Sequence, residues 1–169
     1  MLDVCVVHHR SRPLRAETLD FVAGLPGNLL LAFDSGPHKT GHWVRRVAGL
    51  REALHRRVRS AFWVSLDDDL VIRPEDAWTA VRWLVLHPDW AGVGVWNGDG
   101  TPPAGKTAVR MGSAVWRASA TQDHVIEIEP TPDGNGYVKC ECGKFGDSLI
   151  KAGWNLGYHP TLTVRHLGD

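Results

Sequence analysis

The sequence lacks long hydrophobic runs, and none approaches the roughly 20 apolar residues that a membrane-spanning helix needs. Its first ten residues, MLDVCVVHHR, lack the basic and then long apolar character of a signal peptide. Cysteine is also scarce, because Cys5, Cys140 and Cys142 are too few and too odd in number for a disulfide framework. We therefore expect a reducing, cytoplasmic location.

The sequence has no net charge, no internal repeat and no low-complexity tract. With 169 residues, of which 43% are hydrophobic and 22% charged, it has the composition of one globular domain. The charges are unevenly distributed: residues 1–60 contain ten Lys and Arg against five Asp and Glu, whereas residues 61–169 contain nine against fourteen. This distribution permits an anionic ligand on the first half and a metal ion on the second.

Hydrophobic periodicity predicts alternating strands and helices. In the first half we expect strands over 4–7, 28–33, 61–66 and 90–96, with helices over 16–25, about 42–58 and from Pro74. After a Gly/Pro loop at 97–107 we expect strands near 108–118 and 124–130, a helix near 142–152 and a last strand at 161–166. Such alternation is typical of an α/β domain with a mostly parallel sheet and helices on both faces.

Polar clusters follow three of the predicted strands: residues 8–12, then Asp34 and Ser35, then residues 67–69. Ligands of open α/β sheets bind at the carboxyl ends of the strands, so we expect these clusters to meet there. Three consecutive aspartates after a buried strand repel one another, and a divalent cation relieves that repulsion. The carboxylates therefore indicate a site for Mg²⁺ or Mn²⁺ together with phosphate oxygens, although a solvated turn is the simpler alternative.

Several motifs occur in a characteristic order and spacing. They are HRSRP at 9–13, Asp34 at the end of a strand, GHWVRRVAG with Gly41, Arg46 and Gly49, the triplet DDD, GSAVWR at 112–117, and TLTVRH ending in His166. This set resembles the GT-A nucleotide-diphosphosugar glycosyltransferases, family 2 in particular. The resemblance implies a GT-A fold, a Rossmann-like three-layer sandwich in one domain over 1–169. Residues 1–96 would bind the nucleotide sugar, and residues 97–169 would form the acceptor and catalytic half.

The resemblance also assigns roles to residues. It implies that the base and ribose are held by His9, Arg10, Arg12 and Asp34, that Arg46 supports the nucleotide, and that Asp67 and Asp68 contact the donor. It implies a Mn²⁺ or Mg²⁺ ion on Asp69, together with Asp67 or Asp68 and His166, which grips the donor's diphosphate. GSAVWR would lie near the sugar and acceptor. On spacing alone, His166 is equally an ordinary strand-ending histidine.

The general base is where the sequence departs from the family. Members carry an E-D pair about eleven residues before an AGY or AGW helix end, and here Glu141 and Cys142 precede AGW at 152–154. Asp147 lies about 200° from Phe145 around the predicted helix, on the face opposite the buried one. We expect Glu141, at the helix N-terminus, to be the base, with Asp147 as the alternative. A plain helix-terminal acid is a third reading of Glu141.

The acceptor is less well determined. Six arginines fall within one predicted helical segment, at positions 45, 46, 51, 56, 57 and 59. They are expected to form the solvated face of a covering helix. Alternatively, this surface neutralises a polyanion, and the acceptor is a hydroxymethylated DNA base rather than a glycan or another hydroxyl.

Two other classes of function compete with glycosyl transfer. DDDLV resembles the D-x-D motif of haloacid-dehalogenase-like phosphohydrolases, but those enzymes carry it after the first strand. A non-catalytic nucleotide- or DNA-binding module is the other candidate. Cys140 and Cys142, with His159 or His166, resemble only half of a zinc site, so we do not expect zinc.

Overall fold

The structure is a computed structural model. It describes residues 1–9, 13–36, 43–96, 101–105, 107 and 109–166, with only the backbone of His9 and His166.

Strands and helices alternate through the first half, as the hydrophobic pattern predicts. The elements of this half are β1 Leu2–His9, α1 Ala16–Ala23, β2 Leu29–Asp34, α2 Trp43–His55, β3 Phe62–Asp67, β4 Leu70–Val71, α3 Pro74–Leu86 and β5 Trp90–Trp96. Helix α3 starts with proline in its first turn, followed by Glu75 and Asp76, which favour a helix N-terminus.

The second half differs more from the pattern. Its elements are β6 Ser113–Arg117, α4 Ala118–Thr121, β7 Glu129–Pro130, β8 Tyr137–Lys139, α5 Glu141–Lys151, β9 Asn155–Thr163 and β10 Arg165–His166. The strand predicted over 124–130 is wrong for most of its length. Ile126 is buried there, but its backbone N–H donates to the Glu52 side chain at 2.8 Å rather than to a neighbouring strand.

The last long strand begins earlier than predicted, at Asn155 instead of 161. It contains Gly157 and Pro160, which argue against a strand in the interior of a sheet. Strand β9 is the edge strand, next to β5 only, so proline is tolerated in it.

The central sheet has six strands in the order β2-β1-β3-β6-β5-β9. Only β6 runs against the others, because its pairings with β3 and β5 are antiparallel whereas the remaining pairings are parallel. The predicted fold class, a mostly parallel sheet covered by helices, is confirmed.

Each face of the sheet carries its own core, because successive strand residues point to opposite faces. One core contains Val4 and Val64 and is covered by α1 and α3. The other contains Trp63 and Trp116, which stack at 5.9 Å between ring centroids, and is covered by α2, α4 and α5. Fully buried Phe145 of α5 lies edge-on to Trp116 at 5.2 Å, which fixes the position of α5 against the sheet.

Among the described residues, no helix has the length and apolar character that crossing a bilayer demands.

The start of β1 is held by a buried carboxylate. Asp3 accepts hydrogen bonds from the backbone N–H groups of Arg59 and Ser60 at 2.7 and 2.9 Å, from the Ser60 hydroxyl at 3.0 Å and from Asn28 at 2.9 Å. Burial opposes ionisation, but these donors outweigh it and hold the pKa of Asp3 below its usual value. The bonds join three segments of the chain at the end of the sheet remote from the strand-end clusters.

We predict that Asp3→Ala lowers the free energy of unfolding by about 2–3 kcal/mol, because it leaves buried donors unsatisfied. Urea titration at neutral pH measures this loss. Since the pKa of Asp3 is depressed in the folded state, the wild-type advantage is lost as the pH falls through that pKa. Asp123→Ala, in the exposed turn after α4, is the control and should cost less than about 0.5 kcal/mol. Equal losses in the two variants would contradict the prediction.

Candidate functional site

The polar clusters meet at one edge of the sheet, as the strand pattern predicts. In the parallel register, His9 of β1 lies opposite Asp34 of β2, and Val7 of β1 lies opposite Asp67 of β3. The carboxyl ends of three neighbouring strands therefore place Asp34, the end of β1 and the aspartate triplet side by side.

A cleft of about 620 Å³ opens above this edge. Its walls come from both halves of the chain and consist of Val7, Asp34, Trp43, Val44, Val47, Arg51, Asp67, Asp68, Asp69, Arg110, Gly112, Tyr137, Cys140, Glu141 and Cys142. The cleft thus combines carboxylates with arginines and with two aromatic rings.

Asp34 is buried and held in a fixed orientation. Arg46 of α2 donates to both of its carboxylate oxygens, from Nε at 2.9 Å and from Nη2 at 3.3 Å, and the Gly36 backbone N–H donates at 3.0 Å. A side chain at Gly36 would collide with the Arg46 guanidinium, since a Cβ there would lie 2.3 Å from Cζ. Arg46 therefore positions Asp34 and does not itself line the cleft.

Asp68 is paired with a histidine of the first strand. Its Oδ2 lies 2.5 Å from Nδ1 of His8, and both side chains are buried. The His8 ring lies edge-on to the Phe33 ring, with 5.9 Å between the ring centroids, and this contact restricts the orientation of the imidazole. This contact ties the middle aspartate to β1.

Arg51 is the centre of the cleft. Its guanidinium donates to Asp67 through Nη2 and to Glu141 through Nη1, so it bridges strand β3 and helix α5. Burial opposes its charge, but Asp67 and Glu141 outweigh that effect and raise the pKa of Arg51 above its usual value. Burial raises the pKa of Glu141, and the attraction of Arg51 offsets only part of this.

Gly112 leaves the space that Asp67 occupies. A Cβ at this position would lie 2.0 Å from Oδ2 of Asp67, and the Gly112 carbonyl accepts from the Asp67 backbone N–H at 2.9 Å. The glycine before β6 is thus required by the close approach of the carboxylate. This contact places GSAVWR at the cleft through its first residue only.

The two candidate bases lie in different environments. Glu141 is buried at the start of α5 and lines the cleft. Asp147, six residues further along the helix, has a side chain that is 40% exposed and forms a salt bridge with Lys139. Asp147 is absent from the cleft wall, in agreement with the helical geometry expected from the sequence.

The three aspartates do not converge on a single point. Asp67 contacts the Arg51 guanidinium and Asp68 contacts the His8 imidazole, so protein groups already bind two of the three carboxylates whose repulsion suggested a metal. Among the described residues, the potential metal ligands that lie close together as a group of three are instead Cys140, Glu141 and Cys142.

The backbone places the His166 position one residue away from Asp69 along the pairing of β4 with β10. Strands β4 and β10 pair antiparallel with His166 opposite Leu70, the residue that follows Asp69. Asp69 lines the cleft. A carboxylate beside a histidine position, facing a cleft with room for a phosphate co-ligand, fits a hard divalent cation such as Mn²⁺ or Mg²⁺.

Other predicted residues are placed elsewhere or are not described. Arg10, Arg12 and Gly41 lie outside the described residues. The stretch GSAVWR was expected near the sugar and acceptor, and for its last residue, Arg117, this prediction is wrong. Because β6 runs antiparallel, Arg117 lies beside the start of β3, at the end of the strands remote from the cleft. There it donates to the carbonyls of Trp90 and Leu84 and so caps α3.

The expectation of one solvated arginine face on α2 is also wrong. Arg51 is only 8% exposed, and α2 ends at His55, before the last three arginines. Arg51 follows Val44 and Val47 at helical spacing and precedes Leu54, so it occupies the buried stripe. A charged residue on an apolar stripe is the signal that marks it as a paired, functional cation.

We predict that Arg51→Met lowers the free energy of unfolding by about 3–5 kcal/mol at neutral pH, because two carboxylates lose their shared counter-charge. The deficit should shrink as the pH falls, since protonated carboxyl groups need no cation. Denaturant titration across pH measures both effects. Arg56→Met, directly after the end of α2, is the matched control, because the exposed Arg56–Glu52 pair contributes at most about 1 kcal/mol. A pH-independent deficit would contradict the prediction.

No protein-family model matches the sequence, and a search of the curated proteins finds no match. Comparison with solved structures does find similar folds. The TarS fragment 1–349 from S. aureus aligns with a TM-score of 0.67 and 14% identity over 98% of this chain and 60% of that one. Mannosyltransferase PcManGT from Pyrobaculum calidifontis, solved in complex with GDP-Man and Mn²⁺, aligns with a TM-score of 0.64 and 14% identity over 99% and 57%.

This chain therefore spans less than two thirds of the length of those two proteins. A glycosyltransferase involved in glycosylation of the major capsid of PBCV-1 is nearer in size, with a TM-score of 0.56 and 9% identity over 97% of this chain and 92% of that one. At such identities the similarity concerns the fold. The fold of this chain is that of the GT-A-type glycosyltransferases.

Proposed function

We propose that this chain is a metal-dependent glycosyltransferase. It transfers a sugar from a nucleoside-diphosphate sugar, first of all a UDP-sugar, to an acceptor hydroxyl with inversion at the anomeric carbon. One observation carries the proposal: Asp34, the aspartate triplet and Glu141 line a single cleft at the carboxyl edge of a GT-A sheet.

The first half of the chain, residues 1–96, binds the donor in this proposal. Asp34 is held rigidly by Arg46 and accepts hydrogen bonds from the nucleotide base, with the last residue of β1, His9, opposite it in the strand register. Asp67 and Asp68, held by Arg51 and His8, contact the donor in this proposal. Among the structural neighbours, TarS 1–349 has been solved with UDP and with UDP-GlcNAc, and PcManGT with GDP-Man.

Asp69 and His166, with Asp67 as the third ligand, would hold a Mn²⁺ or Mg²⁺ ion. When bound, such an ion supplies positive charge to the diphosphate as it leaves the sugar. The protein contributes a fixed carboxylate on the turn after β3, and the β4–β10 pairing keeps the closing histidine next to it. Arg51 adds a fixed positive charge in the same wall of the cleft.

Glu141 acts as the general base. It lies in the second half of the chain, 97–169, and lines the same cleft as Asp34, and helix α5 fixes it through buried Phe145. A carboxylate with a raised pKa accepts a proton more readily than an ordinary surface acid. Arg51 keeps this carboxylate pointing into the cleft and stabilises its ionised form between turnovers.

The acceptor in this proposal is a hydroxyl of a glycan. Tyr137, which is 46% exposed on β8, and Trp43 at the start of α2 supply aromatic surface to the cleft wall, as sugar rings prefer. A DNA acceptor has less support, because Arg46, Arg51 and Arg56 are engaged by Asp34, the cleft carboxylates and Glu52 rather than aligned on one outer face.

The other two classes of function are also less well supported. A haloacid-dehalogenase-like phosphohydrolase carries its aspartates after the first strand, whereas here the triplet follows β3. A purely binding module does not require a buried acid with a raised pKa facing the ligand cleft.

Binding of a nucleoside diphosphate tests the donor half. We predict that UDP raises the melting temperature in the presence of Mn²⁺. At 100 times Kd the gain is about 2.7 kcal/mol, roughly 5–10 °C for a domain of this size. Asp69→Ala should abolish the metal-dependent part of the shift, because it removes a carboxylate ligand.

Asp20→Ala, on the exposed face of α1, is the control and should retain the full shift. GDP and ADP form parallel arms, and a larger shift with one of them would reassign the base but not the transferase. Absence of a metal-dependent shift with every diphosphate and every nucleotide sugar would refute the proposal.

Replacement of each acid distinguishes the two candidate bases. We predict that Glu141→Gln lowers kcat about 10²–10⁴-fold, whereas Asp147→Asn stays close to wild type because its Lys139 salt bridge lies outside the cleft. In the wild type, kcat/KM should rise with pH through the raised pKa of Glu141, since only the ionised carboxylate takes the proton. Hydrolysis and transfer rates of a UDP-sugar measure both.

The reverse pattern, with Asp147→Asn inactive and Glu141→Gln active, would assign the base to Asp147. Loss of the acidic pH limb in Glu141→Gln is the control that separates a chemical role from a structural one.

A further inference from the structure

Two thiols flank the proposed base at the start of α5. Cys140 is the N-cap residue, with extended backbone angles of φ −67° and ψ 167°, and Cys142 lies in the first helical turn. Residues two apart in helical geometry have Cα atoms about 5.4 Å apart, within the range that disulfides accept. The extended Cys140 turns its side chain back, so that both sulfur atoms and a Glu141 oxygen lie within 4.8 Å of one another.

The surroundings favour a thiolate at Cys140. The Cys140 sulfur accepts hydrogen bonds from the Cys142 thiol and from backbone N–H groups at the helix start. Together these contacts lower the pKa of Cys140 despite partial burial. The Met111 N–H donates to Cys142 Sγ at 3.2 Å.

Cys5 offers a built-in comparison. It is buried in the core on β1, and its burial, with the nearby Asp3 charge, raises the pKa of Cys5 to about 12. A buried protonated thiol is unreactive, whereas Cys140 and Cys142 both line the open cleft. Reactivity should therefore be confined to the pair.

We propose that Cys140 and Cys142 form a reversible intramolecular disulfide, and that this disulfide switches off the cleft by displacing Glu141. The effect on the cleft rests on the function proposed above. Formation of the disulfide rests only on the geometry of the two thiols.

A hydroperoxide is the oxidant that this chemistry requires. The Cys140 thiolate attacks one peroxide oxygen, the O–O bond breaks, and hydroxide leaves and is protonated to water, which gives a sulfenic acid. The Cys142 sulfur then attacks the Cys140 sulfur, its proton goes to the departing oxygen, and a second water leaves as the S–S bond forms. Two thiols and one hydrogen peroxide thus give one disulfide and two waters, and an added dithiol reverses the reaction.

The bond would change the cleft through two contacts. Glu141 lies between the bonded residues, so the ring that they close reorients its backbone and weakens the contact with Arg51. Cys142 also withdraws from the Met111 N–H, and Met111 precedes Gly112, the residue packed against Asp67. Both carboxylates bound by Arg51 are affected by one covalent change.

Peptide mass spectrometry tests the bond directly. Trypsin cleaves after Lys139 and Lys144 and releases CECGK, which contains both thiols, while Cys5 falls in another peptide. In a Cys5→Ala background treated with hydrogen peroxide, we expect CECGK to lose two hydrogen atoms, and dithiothreitol to restore them. The UDP-sugar transfer rate of the same samples should fall about 10²-fold, as misplacement of a catalytic group by about 1 Å does, and recover in parallel.

Cys140→Ser is the matched variant, and its UDP-sugar transfer rate after oxidation is compared with its own rate before oxidation. It should form no disulfide and keep that rate after peroxide. If CECGK gains oxygen atoms but never loses two hydrogens, the disulfide is refuted. If the disulfide forms while the rate is unchanged, or if Cys140→Ser is inhibited as strongly as its parent, the switch is refuted. A protein that forms the disulfide but transfers no sugar in either state refutes the proposed function and leaves the thiol pair supported.

Discussion

The cleft depends on the shared guanidinium of Arg51. It is almost completely buried, and it connects a carboxylate at the end of β3 to a carboxylate at the start of α5, which are 74 residues apart in sequence. Without it the buried Glu141 carboxylate would lose its counter-charge, and an unpaired buried charge costs several kcal/mol. Arg51 therefore joins the two halves of the chain and sets the charge of the site between them.

The other contacts of the cleft follow the same principle, since most of the acids at the strand ends are held by a partner from a different element. Arg46 of α2 holds Asp34 of β2, His8 of β1 lies against Asp68, and the glycine before β6 leaves room for Asp67. A site built in this way is preorganised, because the orientation of its carboxylates is set before a ligand arrives. The thiols beside Glu141 introduce covalent chemistry at the same point, where a small movement alters both carboxylates that Arg51 binds.

The predicted fold agreed with the structure where the signal within a segment and the packing of that segment in the folded chain favour the same element. Strand β5 and helix α3 begin where the pattern puts them, because an apolar run and an N-terminal proline are signals within the segment itself. The 124–130 segment failed because its apolar residues pack without a strand partner, so alternation alone was misleading. Strand β9 was predicted too short because its proline is tolerated only at a sheet edge, and edge position is a property of the assembled sheet.

By itself, the sequence determined the fold class, the meeting of the strand-end clusters and the position of Glu141 at a helix start, because each follows from periodicity and the direction of a parallel strand. The tertiary structure alone decided the partner of each charge. Because β6 runs antiparallel, Arg117 lies beside the start of β3, at the end of the sheet remote from the cleft. The same structure places Arg51 in the cleft and Arg46 against Asp34. Pairing between distant segments depends on how helices pack across the sheet, and a linear pattern of residues does not contain that geometry.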